Sequence, residues 1–578
     1  MVVLIAGLMG AGDRSWGQDL PTGAVDPDAQ RQRQQQREAE QRRALEREPD
    51  VRLRASEPAS RRRLRDDESP CFPIREIALA GVERYPRLAR EIGALDGPDG
   101  DDAPQGRCLG AAGIGLLVTR LQDALIEDGY ITTRVLAGPQ DLSSGRLVLT
   151  VIPGRVHAIR LRDGSSPQTR LSNALPVHPG DLLNLRDMEQ ALENLQRVPG
   201  AQADIQVEPA QATTEAGYSD LAVSYQGGRQ WRWQVSVDDS GSAATGRYPV
   251  ALTASLDHAL TLNDLFYVTL NRDTGWVGRR VDDREGPHPG TGGQVLHYSL
   301  PWGHTLISAT VSRSGYRQVV VGANQDYVYR GTSSNGELKL TRLLWRDGRF
   351  KFSGWVKAFG RGSRNYIDDT EVEVQRRRVG GWEAGLNLKR NAGGVSTEGE
   401  LSVKRGTGLF HALTAPEEDF GEGDSRPRLA QVSFSASGAA PLGARQLQWS
   451  TQWRGQLAMN RLTPQDRFAI GGRYTVRGFG SETSLSADDG LLMRNEVELP
   501  LSQGHSGAVS IYLGADIGLV GGGGAERLAG RHLSGAVIGS RLRAQGLSLD
   551  VFAGAPLWQP SRFPAARVVA GFNLSYSR

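Results

Sequence analysis

The sequence predicts a mainly β protein with an α/β N-terminal part: a sixteen-stranded transmembrane β-barrel preceded by two small α/β units and a polar helix. Three observations predict it. After Gly228, apolar and polar residues alternate with period two in about sixteen segments of about ten residues, the length of a tilted membrane strand. The connections between these segments tend to alternate between short and long, as where turns lie on one side of a membrane and loops on the other. Before Gly228, apolar residues recur at helical spacing in two stretches, and extended stretches follow each of them. No run of about 18 apolar residues occurs, which excludes a helical membrane protein.

The apolar run from Val2 to Leu8 is followed by Ser15 and Gly17, small residues flanking a cleavage position, so residues 1–17 are expected to be a secretory signal. No basic residue precedes the run. Export decides the reading of the two cysteines, Cys71 and Cys108. No C-x-x-C or histidine-rich neighbour suggests a metal site, and in an exported protein a lone pair is most simply one disulfide. The chain-entropy model gives about 4 kcal/mol for closing a loop of this size.

Residues 28–48 are almost entirely Gln, Arg and Glu with Ala. Their propensity is helical, but they carry no apolar stripe, so the helix belongs in a wet, polar place. Residues 49–70 read as a charged linker with Pro and Ser. A first compact unit follows at 71–154. It has a strand carrying Ile74, Ile77 and Leu79, and a helix over 109–130 with Ile114, Leu117, Leu121 and Leu125 on one face. Gly129 ends that helix, and strands follow at 132–136 and 147–152. The second unit, 155–227, repeats the order: a strand at 156–161, a helix marked by Leu182, Leu185, Met188, Leu192 and Leu195, and strands at 205–207 and 221–225.

The barrel is expected over 229–578. Short connections fall at 259–263, 301–304 and 346–348, and long ones at 274–291, 316–335, 406–426 and 458–489. An even strand number returns both ends of the barrel to the short-turn side. That side is the periplasm, where the two units before the barrel then lie.

Several strings resemble one family. Cys71 to Ile77 (CFPIREI), Gly106 to Gly110 (GRCLG), Gly129 to Val135 (GYITTRV) and Pro139 to Gly145 (PQDLSSG) are similar to the first POTRA domain of two-partner secretion transporters, the TpsB family. Asp239 to Gly241, with Thr245 to Tyr248, resembles the start of that family's barrel, and Leu262 to Leu265 its first short turn. Val476, Arg477, Gly478 and Phe479 match its long-loop signature, V-R-G-F/Y. Gly514, Asp516 and Gly518 match its G-x-D-x-G strand motif. The resemblance covers about residues 28–576. One departure is at the C-terminus: the family commonly closes on an aromatic residue, whereas Ser577 and Arg578 follow Tyr576 here.

The resemblance implies two POTRA domains, a plug helix at 28–48 threading the pore, and a long loop at 458–489 that folds inward so that Arg477 meets Asp516. The residues support that pairing. Gly478 permits a tight turn, Asp516 shares a face with Tyr512 and Gly514, and a charge facing lipid costs several kcal/mol, which leaves the lumen. Arg suits a two-pronged bond to a carboxylate.

The implied function is an outer-membrane pore of a Gram-negative bacterium. Through its POTRA domains it would recognise the N-terminal secretion domain of one large TpsA-type exoprotein, an adhesin, haemolysin or contact-dependent inhibition toxin, and pass it unfolded. A monomer, surrounded by outer-membrane lipid and inserted by the barrel-assembly machinery, is implied too. Two alternatives remain at this point: a barrel-assembly insertase of the related branch, which usually carries more POTRA units, and a solute porin, which needs none. Nothing resembles an enzyme. The nine histidines show no H-E-x-x-H, Gly504 to Gly507 falls short of a nucleophile elbow, and Gly521 to Gly524 lacks the lysine of a phosphate loop. No cofactor or metal is expected, and a net charge of +3 gives no case for a nucleic acid partner.

Overall fold

The computed structural model describes residues 27–46, 49–53, 62–82, 85, 93–97, 99–210, 215–275, 289–321, 325–480, 482–504 and 507–578. The expected signal at 1–17, the last two residues of the expected helix at 28–48 and part of the expected linker lie outside them.

Sixteen antiparallel strands close into a barrel, each paired with its neighbour in sequence, and the last, Val569–Ser577, pairs with the first, Trp231–Asp238. Alternation is the reason they form. Along Gly507–Gly521, Tyr512, Gly514, Asp516, Gly518 and Val520 turn inward, while Ile511, Leu513, Ile517 and Leu519 are exposed on the outside. Closure leaves no open strand edge, so the backbone groups of the wall are bonded within the sheet except at its register shifts and at Phe572, which bonds Asp239 and Arg473 beside the seam.

Most strands exceed the expected ten residues, and three are the longest: Thr305–Val321, Asp326–Arg346 and Phe350–Ile367, of 17, 21 and 18 residues. The long loop expected at 316–335 is mostly an extension of this ladder, with Tyr316 opposite Gly331 and Val321 opposite Asp326. Hydrophobic alternation fades there because both faces of the hairpin lie beyond the apolar band, so periodicity alone reads it as loop. The next long strand after Phe350–Ile367 begins at Arg377, following a short 3-10 turn at Glu373–Gln375.

The first N-terminal unit is a three-stranded sheet, with Glu76–Ala80 parallel and Arg134–Leu136 antiparallel to Arg146–Ile152. The helix Ala111–Glu127 packs Leu117, Leu121 and Leu125 against Leu147 and Leu149. It starts two residues later than its apolar pattern suggests, because Cys108–Leu109 pairs with Phe72–Pro73. The Cys71–Cys108 disulfide staples that pairing.

Behind the helix, Arg120 is buried and paired with Asp102, and it donates to the Leu95 carbonyl at 2.9 Å. Burial pushes the Asp102 carboxyl up, but the hydrogen bonds from Arg120 and the Leu64 N–H, with the charge of Arg107, outweigh it and hold the group below its ordinary value.

The second unit has strands Arg155–Leu161, Gln202–Pro209 and Tyr218–Gln226 and the helix Leu185–Gln196, whose first turn is capped by the Asn184 side chain accepting from the Arg186 N–H. Its core joins Leu185, Leu192 and Leu195 to Leu221, Val223 and Tyr225. This unit is docked on the short-turn end of the barrel. Arg346 Nε donates to Glu189 at 2.8 Å and its Nη2 to Glu193 at 2.9 Å, and Lys351 reaches Glu193 at 2.7 Å. Asn173 Nδ2 donates to the carbonyls of Leu262 at 2.6 Å and Pro301 at 2.9 Å.

Replacing Asp102 with Asn is expected to destabilise the first unit by about 3 kcal/mol at neutral pH, because it leaves Arg120 buried without its counter-ion. The depressed carboxyl contributes stability that is present above its unfolded pKa and is lost as pH falls through the folded value. The gap between wild type and variant in urea unfolding therefore narrows in acid; a gap that is constant with pH contradicts the assignment.

Candidate functional site

The barrel interior is polar, and two inserts occupy it. The first is helix α1 (Pro27–Leu45). Nothing apolar holds it over most of its length. Gln30 Nε2 donates to Ser242 and Thr245, both at 3.0 Å, and Arg31 Nη1 donates to Asn365 at 3.2 Å. Gln32 donates to the Pro464 carbonyl at 2.8 Å, Arg37 lies 3.6 Å from Asp238, and Arg42 pairs with Glu337 at 2.6 Å. Just past its last turn, Glu46 accepts from the Tyr267 hydroxyl at 2.6 Å. These partners come from strands around the barrel, so the helix stands across the pore. A cavity of about 410 Å³ separates it from the wall near Gln36, Glu40, Arg43, Arg454 and Tyr474.

The second insert is the connection between the strands Arg445–Ala458 and Asp489–Gly504. It contains a small hairpin, Phe468–Ile470 against Leu485–Ala487, and it is packed as a core. Ile470, Val476, Phe479 and Leu485 cluster with Leu533 and Phe563, and Phe479 meets Phe563 edge to face at a centroid distance of 5.8 Å.

At its tip Arg477 is clamped. Nε donates to Asp516 Oδ2 at 2.8 Å, Nη2 to Asp516 Oδ1 at 2.9 Å, and the backbone N–H of the same residue also reaches Oδ2 at 2.9 Å. Nη1 donates to Glu496 Oε2 at 2.5 Å, and Nη2 to the Asn495 carbonyl at 3.1 Å. Arg473 ties the same loop to Asp239, at the end of the first strand, at 2.7 Å.

The glycines of both motifs have steric causes. Gly478 has φ +102°, and a Cβ there would lie 2.4 Å from the Ala555 carbonyl oxygen. A Cβ on Gly514 would come within 2.5 Å of Arg477 Nη2, and one on Gly518 within 2.8 Å of Ile470 and Val476. The wall is therefore bare where the loop lies against it. Val476, Arg477, Gly478 and Phe479 are thus brought against Gly514, Asp516 and Gly518. Cys71 and Cys108 lie in the first unit and take no part.

Residues that the motifs do not name complete the clamp. Arg541 Nη1 donates to Glu496 Oε1 at 2.6 Å, and Nε donates to Asp550 at 3.2 Å. Its guanidinium also pairs with Glu498 and stacks on the Tyr512 ring, 4.0 Å from the centroid. Tyr512 in turn donates to Asp550 at 2.9 Å. The one signal in the sequence is parity: Arg494, Glu496 and Glu498 fall on alternate positions of one strand. Which cation meets them depends on pairing register between strands, which composition does not encode.

A family model described as haemolysin secretion/activation protein ShlB/FhaC/HecB matches residues 217–542, a ShlB-type POTRA model matches 72–154, and a POTRA model matches 155–209. The outer membrane transporter CdiB-2 of Burkholderia pseudomallei (strain 1026b) is 34% identical over 94% of this chain and 92% of its own. The hemolysin transporter protein HpmB of Proteus mirabilis is 25% identical over 78% of this chain and 76% of its own. Among solved structures, CdiB from Escherichia coli superposes with a TM-score of 0.82 at 25% identity, covering 96% of this chain and all of that one. CdiB from Acinetobacter baumannii gives 0.81 at 27% identity, also covering 96% of this chain and all of that one.

A closed sixteen-stranded barrel with a filled polar lumen, behind two periplasmic POTRA domains, defines an outer-membrane transporter of the two-partner secretion class. The chain belongs to the ShlB/FhaC/HecB haemolysin secretion/activation family.

Arg477→Ala is expected to leave the barrel folded, as judged by heat-modifiable gel mobility, while release of the exported partner falls at least about tenfold. Swapping the charges as Arg477→Asp with Asp516→Arg should restore only part of the activity, because Glu496 then faces an aspartate. Wild-type release by Arg477→Ala would falsify the anchoring role.

Proposed function

We propose that this protein exports one large partner protein, an adhesin, haemolysin or contact-dependent inhibition toxin, across the outer membrane in unfolded form. In this reading α1 is the plug of the resting pore, and the loop at 458–489, anchored through Arg477 and Asp516, shapes the conduit once the plug has left. The observation that carries it is the manner in which α1 is held. Apart from Leu45, which packs on Leu265, Tyr267 and Val295, its contacts are polar and scattered and water can replace them, so it can leave the lumen while exposing little apolar surface. The outer membrane supplies no nucleotide hydrolysis, so direction comes from folding of the cargo outside. The work is transport, with no catalysis and no cofactor.

Each POTRA sheet has an edge strand that an extended client can join; in the first, the client would displace the Gln122 side chain, which accepts from the Val135 N–H at 3.0 Å and donates to the Thr133 carbonyl at 2.7 Å. In the first, the edge strand Arg134–Leu136 exposes Leu136; in the second, Gln202–Pro209 forms an edge. Such edges bind extended segments by adding a strand. Binding is of modest affinity, because ordering the client costs free energy. The barrel closes within one chain, which supports a monomeric pore, and its insertion is assigned to the barrel-assembly machinery. Neither an insertase nor a solute porin accounts for a helix held in this way together with a pair of POTRA domains.

Deleting residues 28–48 is expected to raise single-channel conductance in planar bilayers severalfold; unchanged conductance from correctly inserted barrels contradicts the plug. Photo-crosslinking residues placed at Leu136 and Gln206 of the full chain should trap the N-terminal region of the partner during export. If neither site traps it while secretion proceeds, recognition lies elsewhere.

A further inference from the structure

Besides Arg313, which faces outward near the middle of Thr305–Val321, six consecutive strands of the barrel, from that one to Arg428–Leu442, each carry an arginine at the long-loop end on the outer face. They are Arg317, Arg330, Arg364, Arg378, Arg405 and Arg428. Their direction follows from alternation with lipid-facing neighbours. Arg405 continues the row of the exposed Leu401 and Val403, Arg428 the row of Val432 and Phe434, and Arg364 the row of Val356.

Register places them in one line. Arg317 is opposite Arg330, and Arg405 is opposite Arg428. Arg330 faces Tyr366, and Arg364 is the next outward residue below Tyr366; Arg378 faces Gly362, the next outward residue below Arg364. This stepped descent is the stagger that strand tilt requires of any line parallel to the membrane. The arginines therefore form a belt at the outer edge of the apolar band, where Trp382 sits opposite Arg405.

The belt is one-sided. Strands from Arg445–Ala458 round to Pro249–Asp257 place no Lys or Arg outward in their long-loop halves; Arg454 and Arg494, which occur there, point into the lumen. It has few counter-ions among the described residues. Among the described residues only Arg330 has an ion pair, with Asp369 at 3.2 Å. Like charges directly opposite on neighbouring strands destabilise a sheet unless an anion lies between them, and this happens here twice.

We infer that this half of the barrel wall binds the phosphate groups of the phosphorylated glycolipid that forms the outer leaflet. The belt lies at headgroup depth directly above the apolar band, its donors match phosphate bidentately, and a planar row of them fits a lipid surface better than a soluble anion. The wall from Arg445–Ala458 round to Pro249–Asp257, which includes the seam between the first and last strands, is left without such anchors, and Leu265–Asp273 contributes a separate outward arginine, Arg272. This inference does not depend on how cargo passes the pore.

The test uses the full-length protein in detergent micelles, titrated with bisphosphorylated lipid A in EDTA and followed by native mass spectrometry. Wild type should retain lipid A, the Arg330→Gln, Arg364→Gln, Arg405→Gln, Arg428→Gln variant should bind it at least about tenfold more weakly, and the matching Lys variant, which keeps the charge but loses the two-pronged fit, should bind with intermediate affinity. Dephosphorylated lipid A should bind both poorly, and millimolar inorganic phosphate should not displace the lipid. If the fourfold Gln variant does not fold, Arg405→Gln with Arg428→Gln decides. Equal retention by the Gln variant, equal binding of dephosphorylated lipid, or displacement by inorganic phosphate overturns the inference.

Discussion

Each strand of the barrel has lipid against one face and water or an insert against the other, and the rest of the molecule depends on that constraint. At the depth of the lipid tails an outward residue must be apolar, so the polar chemistry of the wall at that depth is directed inward. Asp516, Glu496, Glu498 and Asp550 then share a small part of the lumen, and such a concentration of carboxylates requires cations. Arg477 and Arg541 supply them, one from a loop and one from the wall. The loop folds into the barrel because its arginine has a multiply bonded site there.

The two inserts in the lumen are held by different physics. The loop around Val476 and Phe479 buries an apolar cluster and adds a bidentate ion pair, so moving it would expose hydrophobic surface and leave a buried charge unpaired. Helix α1 has scattered hydrogen bonds and ion pairs that can exchange for water, the neutral ones worth about 0.5–1.5 and the charged ones about 1.5–3 kcal/mol net each, and a gap of about 410 Å³ beside it. One pore thus contains an element packed as an apolar core and one held mainly by polar contacts. The docking of Glu189 and Glu193 onto Arg346 and Lys351 sets the second POTRA domain at the end from which a displaced helix and an incoming client would both pass.

Much of this was legible in the sequence, because lipid enforces alternation. Strands such as Gly507–Gly521 show it without interruption, and a Gln/Arg/Glu helix with no apolar face fits only a polar enclosure. The pairing of Arg477 with Asp516 came from motif resemblance supported by parity. Where lipid stops acting, the pattern weakens: the ladder from Tyr316 to Gly331 has polar surroundings on both faces and reads as loop. Register was also invisible. It decides that Arg541 meets Glu496 and that Arg405 stands beside Arg428, and neither follows from one strand alone. The contacts of Asn173 and Arg346 join separately folding parts, so no local pattern marks them.

The central claim is that α1 must leave the lumen for cargo to pass. A cleavable, short-span thiol crosslink between cysteines at Gln30 and Ser242, whose side chains are in hydrogen-bond contact, tests it in the intact protein. Secretion of the partner is expected to stop when the link is closed and to resume when it is cleaved. Undiminished secretion with the link quantitatively closed would contradict the claim.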